Sequence, residues 1–121
     1  WAFRAPVLAL SVASLYFGKT GAPNRHAMHD TGMAVQNLAI QATALGLIVH
    51  QMAGFDAEQA RKDLKIPSEY EPVAMIAVGY PGDPSLLSGT LHEREVAPRR
   101  RQPASSFVFS GEWGTPSSLL V

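Results

Sequence analysis

The chain has 121 residues, of which 46% are hydrophobic and 17% charged, so it is long enough and apolar enough to bury a core. Ten basic and ten acidic residues balance to a formal net charge of zero, which argues against a nucleic-acid-binding or anionic membrane-binding surface. The absence of Cys excludes disulfides, thiolate catalysis and Cys-ligated metals, and it fits a reducing compartment. We therefore predict a cytoplasmic globular protein that binds neither nucleic acid nor membrane.

Two apolar runs predict buried strands, one over residues 6–13 and a clearer one over residues 72–79. The main helix is predicted over residues 32–45, with Asp30 or Thr31 as its N-cap and Gly46 as its stop.

The apolar side chains of this helix do not fit on one stripe at the helical period. They are Met33, Ala34, Val35, Leu38, Ala39, Ile40, Ala42, Ala44 and Leu45. A helix that is apolar nearly all round must be buried nearly all round. We interpret it as a central core helix, or as a helix whose far side is covered by a second subunit or by a part of the protein outside this chain. The two interpretations are compatible.

A second helix is predicted over residues 57–64, after a loop over residues 51–55 that contains one Gly. Asp56 is the expected N-cap, and Gln59 stands where the second residue of a capping box would reach back to it. Downstream, residues 91–101 are dense in charge. The Gly-, Ser- and Pro-rich tail that follows carries aromatic side chains, which we expect to dock on another element or another subunit.

No catalytic or metal-binding constellation stands out. His26 and His29 lie beside Asp30, but a metal site would need a further ligand at suitable geometry, so we interpret both as surface or capping residues. No nucleophile is paired with a base.

The strongest electrostatic feature is the run Arg99–Arg101. In an extended segment the side chains of Arg99 and Arg101 would share a face and suit bidentate binding of a phosphate, while Arg100 would point away. A solvated basic turn is the competing interpretation.

Taken in order, these segments resemble the FMN-dependent nitroreductase family. The segments that carry the resemblance are 5–8, 29–38, 44–47, 52–56, 66–67, 78–81 and 98–103, followed by Phe107–Phe109 and Trp113. The resemblance implies an α+β fold with a central, mainly antiparallel sheet flanked by helices. It further implies an intertwined homodimer with FMN at the interface. Residues 1–121 would form the C-terminal portion of the domain, with 91–121 as an extended C-terminal arm, and another chain or segment would complete it.

The resemblance also implies a cofactor site. Met52, Ala53 and Gly54 would run beside the flavin ring, with a backbone N–H reaching the ring's N5, and some relatives have an acidic residue at the position of Ala53. Arg99 and Arg101 would help to hold the FMN phosphate. Family members begin with an Arg-x-Ser-x-Arg-like segment that provides much of the phosphate site, so we expect a chain without it to bind FMN weakly.

The activity implied is transfer of a hydride from NAD(P)H through FMN to a nitro compound, a quinone or a similar small-molecule acceptor. No side chain is assigned a catalytic role, because the flavin supplies the reactivity. The alternative is a truncated, flavin-free relative that acts as a structural or partner-binding subunit. A third hypothesis is an anion-binding protein that uses Arg99 and Arg101 without redox chemistry.

Overall fold

The computed structural model describes residues 2–119, and the chain divides after Pro81 into two compact units. The first unit is built on a three-stranded antiparallel sheet with the strand order β1-β3-β2, where β1 is Val7–Ser14, β2 is Ile48–Met52 and β3 is Tyr70–Gly79. The central strand β3 contributes the buried side chains of Ile76 and Ala77. The predicted strands over 6–13 and 72–79 are therefore confirmed, with small shifts in their ends.

The prediction that residues 51–55 form a loop is wrong at its start. Gln51 and Met52 belong to β2, where they pair with Ile76 and Met75 of the central strand. The strand is short and lies at the edge of the sheet, and only two of its five side chains are half-buried. It is stabilised by pairing with a strand distant in sequence, which the local pattern does not reveal.

A β-bulge interrupts the pairing of β1 with β3. The register shifts between Ser11 and Val12, next to Pro72, which has no N–H to donate to the ladder. The Ser11 hydroxyl accepts from the backbone N–H of Ala74 and donates to the carbonyl of the same residue, each at 3.1 Å. A serine side chain thus satisfies the backbone where the strand pairing is disrupted.

The long helix α1 spans Ala27–Ala44, so the predicted start at residue 32 is wrong. The Asn24 side chain accepts the backbone N–H of His26 at 3.0 Å and turns the chain into the helix five residues earlier. Thr31 does not act as an N-cap, because its hydroxyl donates to the Ala27 carbonyl one turn back, at 2.8 Å. The predicted stop at Gly46 is confirmed: Gly46 has a φ of 75° directly after the helix.

One stripe of α1 packs on the sheet and the opposite stripe does not. Val35 and Ala42, seven residues apart, are buried, whereas Met33 and Ile40, also seven residues apart, are 54% and 60% exposed. A separation of two residues corresponds to about 200° around a helix, so these pairs lie on opposite faces. An apolar face of the helix is therefore not covered by the other described residues of the first unit.

The short helix α2 spans Ala57–Asp63, and its predicted N-cap is confirmed. The Asp56 carboxylate accepts the backbone N–H of Gln59 at 2.8 Å. The expected reach of the Gln59 side chain back to Asp56 is wrong, because that side chain donates to the Asp63 carboxylate at 2.7 Å, one turn further along. Half of the capping box is thus present.

A single arginine fastens α2 to the beginning of β3. The Arg61 guanidinium donates to the carbonyls of Pro67 at 2.9 Å and Tyr70 at 2.8 Å, and it forms a 2.8 Å ion pair with Glu71. Its planar array of donors can satisfy several acceptors at once. The helix is therefore held against the central strand at its C-terminal half.

The second unit contains one short helix, α3, over Thr90–Val96, and 3-10 turns at Pro84–Leu86 and Ala104–Ser106. The backbone N–H of Ser85 donates to the Asp83 carboxylate at 2.9 Å, and this hydrogen bond lowers the pKa of Asp83 below its ordinary value. Helix α3 lies at the start of the segment 91–121. That this segment forms an extended C-terminal arm stays a prediction.

The tail of the second unit folds back on itself around two aromatic rings. Phe109 and Trp113 meet edge to face with ring centroids 5.1 Å apart, while Phe109 forms an isolated bridge with Pro116. Trp113 is nevertheless 93% exposed. The expectation that these aromatic side chains dock on another element or another subunit stays a prediction.

Candidate cofactor site

The segment Met52–Gly54 leaves the edge strand of the sheet and enters a tight turn. Met52 is the last residue of β2, is half-buried and pairs with Met75 of the central strand. The backbone N–H of Phe55 then donates to the Ala53 carbonyl at 3.0 Å, which closes a three-residue turn with Gly54 at its centre. We refer to residues 53–55 as the Gly54 turn.

The backbone of the Gly54 turn is open to a ligand. Ala53 and Gly54 are exposed, and within residues 2–119 neither of their N–H groups donates to a protein acceptor. A Cβ built on Gly54 meets no atom within 4 Å. The absence of a side chain at Gly54 leaves space for a flat group to approach the backbone on that side.

Both ends of the Gly54 turn are fixed by the fold. The pairing of β2 with β3 holds the first end, and the capped N-terminus of α2 holds the second, because Asp56 adjoins the turn directly. The sequence indicated the cap directly after a loop, but it did not indicate the hydrogen bond that makes Gly54 the centre of a turn.

The two predicted phosphate-binding residues lie in the second unit. Arg99 and Arg101 are exposed and belong to the irregular segment between α3 and the 3-10 turn at Ala104–Ser106. The Arg101 guanidinium donates at 3.4 Å to the carbonyl of Arg100, a weak contact. Their convergence on one face stays a prediction. The Gly54 turn and the arginine run belong to different units.

An apolar groove in the first unit escaped the sequence interpretation. It has a volume of about 320 Å³ and lies between α1 and the sheet. Its lining comprises Ala9, Leu10, Ser11, Val12, Thr31, Ala34, Val35, Leu38 and Ile76. The sequence feature related to this groove is the excess of apolar residues on the main helix. It indicated that the helix must be covered, but it did not locate the groove.

The histidines and carboxylates have structural neighbours rather than a shared ligand. His26 is the residue before α1, and the His92 Nδ1 lies 2.8 Å from the Pro84 carbonyl. Among the residues that the structure describes, no three His, Asp or Glu side chains are grouped so that they could hold a metal ion. None of the helices in that same part of the chain is both long and apolar enough to cross a membrane.

Comparison with solved structures defines the class of protein. The crystal structure of "the oxidoreductase containing FMN" superposes with a TM-score of 0.86 and 31% sequence identity, over 95% of this chain and 59% of that one. A nitroreductase family protein from Clostridium difficile 630 shares the fold with a TM-score of 0.65 and 21% identity, over 92% of this chain and 62% of that one. The fold is the α+β fold of FMN nitroreductases, as predicted.

Sequence comparison gives the family. The Nitroreductase family matches residues 1–80, and the chain belongs to that family. An uncharacterized 15.4 kDa protein from Mycolicibacterium smegmatis is 38% identical over 92 residues, which are 76% of this chain and 62% of the relative. Protein DrgA from Synechocystis sp. is 36% identical over 75 residues, which are 62% of this chain and 36% of the relative. The chain thus spans less than two thirds of each relative.

Proposed function

We propose that this chain forms part of an FMN-dependent oxidoreductase that passes a hydride from NAD(P)H to a nitro compound, a quinone or a similar small acceptor. The observation that carries the proposal is the match with an FMN-containing oxidoreductase over 95% of the chain at 31% identity. An α+β fold alone would not support an activity, since one fold hosts many functions. The open backbone of the Gly54 turn supplies the local support.

On the ring side, the chain would contribute backbone rather than side-chain chemistry. Ala53 and Gly54 are exposed residues whose N–H groups donate to no acceptor within residues 2–119, and one of these N–H groups would donate to the flavin N5. Met52 would line the approach with its half-buried side chain. Preorganised backbone donors need little rearrangement when a ligand arrives, which favours binding and orientation.

On the phosphate side, Arg99 and Arg101 would supply two guanidinium groups. Such groups form charge-assisted, bidentate hydrogen bonds with phosphate oxygens. Both side chains are exposed, so they are accessible to a ligand without rearrangement of a core. FMN, when bound, supplies the redox chemistry itself, and the protein holds and orients it.

We further propose that a second copy of the chain covers the uncovered stripe of α1. Met33 and Ile40 on that stripe are more than half exposed, and such a patch on a long helix favours association. The same observation favours the alternative function, a flavin-free, partner-binding subunit. Binding of FMN separates the two functions, because only the oxidoreductase requires it.

The test is a titration of the purified chain with FMN, followed by the quenching of flavin fluorescence. We expect weak but saturable quenching by the unaltered chain, and NAD(P)H oxidation when a nitro compound or quinone is added at saturating FMN. The double variant R99A/R101A should bind FMN about 10- to 100-fold more weakly, since it loses charge-assisted hydrogen bonds of about 1.5–3 kcal/mol each, discounted here for solvent exposure.

The control is R100A, which removes one positive charge from the same run, from the side chain predicted to point away. Its affinity for FMN should stay within about threefold of the unaltered chain, a difference of less than about 0.7 kcal/mol. A loss of affinity of more than about threefold with R100A would reduce the arginine run to a general electrostatic attraction. A chain that shows no quenching at any FMN concentration would favour the flavin-free alternative.

A further inference from the structure

The position of the Gly54 turn depends on one carboxylate that lies outside the predicted cofactor site. Asp56 follows the turn immediately and adopts an extended conformation, with a φ of −80° and a ψ of 98°. Its side chain accepts the N–H of Gln59 at 2.8 Å, and its carbonyl accepts the N–H of Ala60 at 2.9 Å. These two bonds fix the direction in which the chain passes from the turn into α2.

Helix α2 is in turn anchored to the sheet. The Arg61 guanidinium reaches the Tyr70 carbonyl and the Glu71 carboxylate, each at 2.8 Å. Tyr70 begins the central strand, and the same strand pairs with Met52 through Met75. The strand β3 therefore holds the Gly54 turn from two sides. On one side it pairs with β2, and on the other it binds α2, whose N-terminus is capped by Asp56.

We propose that Asp56 is a positioning residue for the ring side of the FMN site. Its cap on α2 holds the Gly54 turn in the orientation that leaves the N–H groups of Ala53 and Gly54 open. Asp56 itself does not need to touch the cofactor. The inference rests on the proposed function, because it assigns a role in FMN binding.

The positioning role of Asp56 predicts that loss of its cap weakens FMN binding more than an equal loss of helix stability elsewhere in α2. Without the carboxylate, the Gln59 N–H loses its acceptor and the first turn of α2 frays. The backbone of Phe55 then gains freedom, and the hydrogen bond from its N–H to the Ala53 carbonyl, 3.0 Å long, is held only from the strand side. Donors that must be ordered during binding bind more weakly than donors that are already in place.

The experiment compares three substitutions with the unaltered chain by FMN fluorescence titration and by amide hydrogen exchange without FMN. D56A should weaken FMN binding about five- to tenfold, in line with the loss of an N-cap. It should also speed exchange of the Phe55 amide by a similar factor. D56N should restore both quantities to near those of the unaltered chain, because Asn caps as well as Asp without the charge.

The third substitution, K62G, is the control for helix stability. It weakens α2 by about the same amount through helix propensity and leaves the Asp56 cap in place. We expect K62G to leave FMN affinity and the exchange of the Phe55 amide within twofold of the unaltered chain.

The outcomes separate this inference from the proposed function. If the unaltered chain binds FMN but D56A binds it equally well, or K62G weakens binding as much as D56A does, the positioning role is wrong and the proposed function stands. If D56N fails as badly as D56A, the charge acts rather than the cap, and the inference is again wrong. Failure of the unaltered chain to bind FMN would overturn both.

Discussion

At the scale of single residues, the two helices of the first unit end in the same left-handed turn made with different residues. Gly46 after α1 has a φ of 75°, and Lys65 after α2 has a φ of 53°. In each turn the next N–H reaches back to close the helix, from Leu47 to the Ala42 carbonyl and from Ile66 to the Arg61 carbonyl, both at 2.9 Å. Glycine adopts this conformation freely, whereas a residue with a Cβ does so at a cost of about 1 kcal/mol.

Because the two turns share this geometry, replacing Lys65 by Gly and Gly46 by Lys should change the free energy of unfolding in opposite directions. Lys65→Gly should raise the free energy of unfolding by about 0.5–1 kcal/mol, because the relief of the left-handed strain exceeds the extra entropy of the unfolded chain. Gly46→Lys should lower it by about 1 kcal/mol through conformation alone, since a Cβ at Gly46 meets nothing within 4 Å. Urea denaturation followed by circular dichroism measures both.

Lys62→Gly is the control for the lysine substitution, because it makes the same change inside α2. There glycine should lower the free energy of unfolding by about 1 kcal/mol. If Lys65→Gly destabilises the protein as Lys62→Gly does, the left-handed conformation of Lys65 carries no strain worth relieving.

At the scale of elements, the sheet depends on the serine at its β-bulge. The Ser11 hydroxyl is half-buried and serves both the N–H and the carbonyl of Ala74 at 3.1 Å. Ser11→Ala should lower the free energy of unfolding by about 1–2 kcal/mol, because the N–H and the carbonyl of Ala74 lose a hydrogen-bond partner at a half-buried position. Thermal unfolding monitored by circular dichroism measures the change.

Ser14→Ala tests whether any serine on β1 would give the same result. The Ser14 hydroxyl also donates to a backbone carbonyl, that of Tyr16 at 2.9 Å, but its residue is exposed. Water replaces that bond readily, so the expected change is within about 0.5 kcal/mol. Equal destabilisation by both substitutions would contradict a special role for the bulge.

The elements also show how far the sequence could be interpreted. The strand over 72–79, the Asp56 cap and the Gly46 stop follow from local patterns, and each is present. The edge strand β2 could not be predicted, because its stability comes from pairing with a strand some 20 residues further along the chain. The start of α1 was misplaced because Asp30 and Thr31 are good capping residues that here lie inside the helix.

The ring side of the candidate site was accessible to prediction only through the family resemblance. A Met-Ala-Gly sequence has no chemistry that points to a flavin, and the hydrogen bond that makes Gly54 the centre of a turn cannot be read from residue types. Arg99 and Arg101 suggested a phosphate by charge and spacing. Whether both face the same way depends on backbone angles that the sequence does not specify, and it stays a prediction.

At the scale of the whole molecule, the uncovered stripe of α1 supports the proposal that a second copy of the chain packs on it. The helix has one acidic residue, Asp30, and no lysine or arginine over its 18 residues, so little charge keeps its far face in water. Met33 and Ile40 are exposed on that face, while Val35 and Ala42 are buried on the face that packs on the sheet. Apolar side chains two turns apart on one face suit packing against an equivalent helix, and a second copy of the chain presents the same face.

If a second copy covers this stripe, one charge placed on it should separate the copies. We expect the unaltered chain to sediment at twice its 13.0 kDa mass, and Ile40→Asp to sediment at the single-chain mass, because burial of an unpaired carboxylate is strongly unfavourable. Sedimentation equilibrium measures the mass, and circular dichroism checks that the helix persists.

Gln41→Asp is the matched control, since it places the same carboxylate one residue along the same helix, at an exposed position about 100° away from Ile40. Both substitutions interact equally with the helix dipole, so a difference between them reports the covered face rather than helix stability. Gln41→Asp should keep the doubled mass. An unaltered chain at the single-chain mass would exclude the second copy as the partner and leave a different chain or segment to cover the stripe. A doubled mass that survives Ile40→Asp would place the contact between copies elsewhere on the molecule.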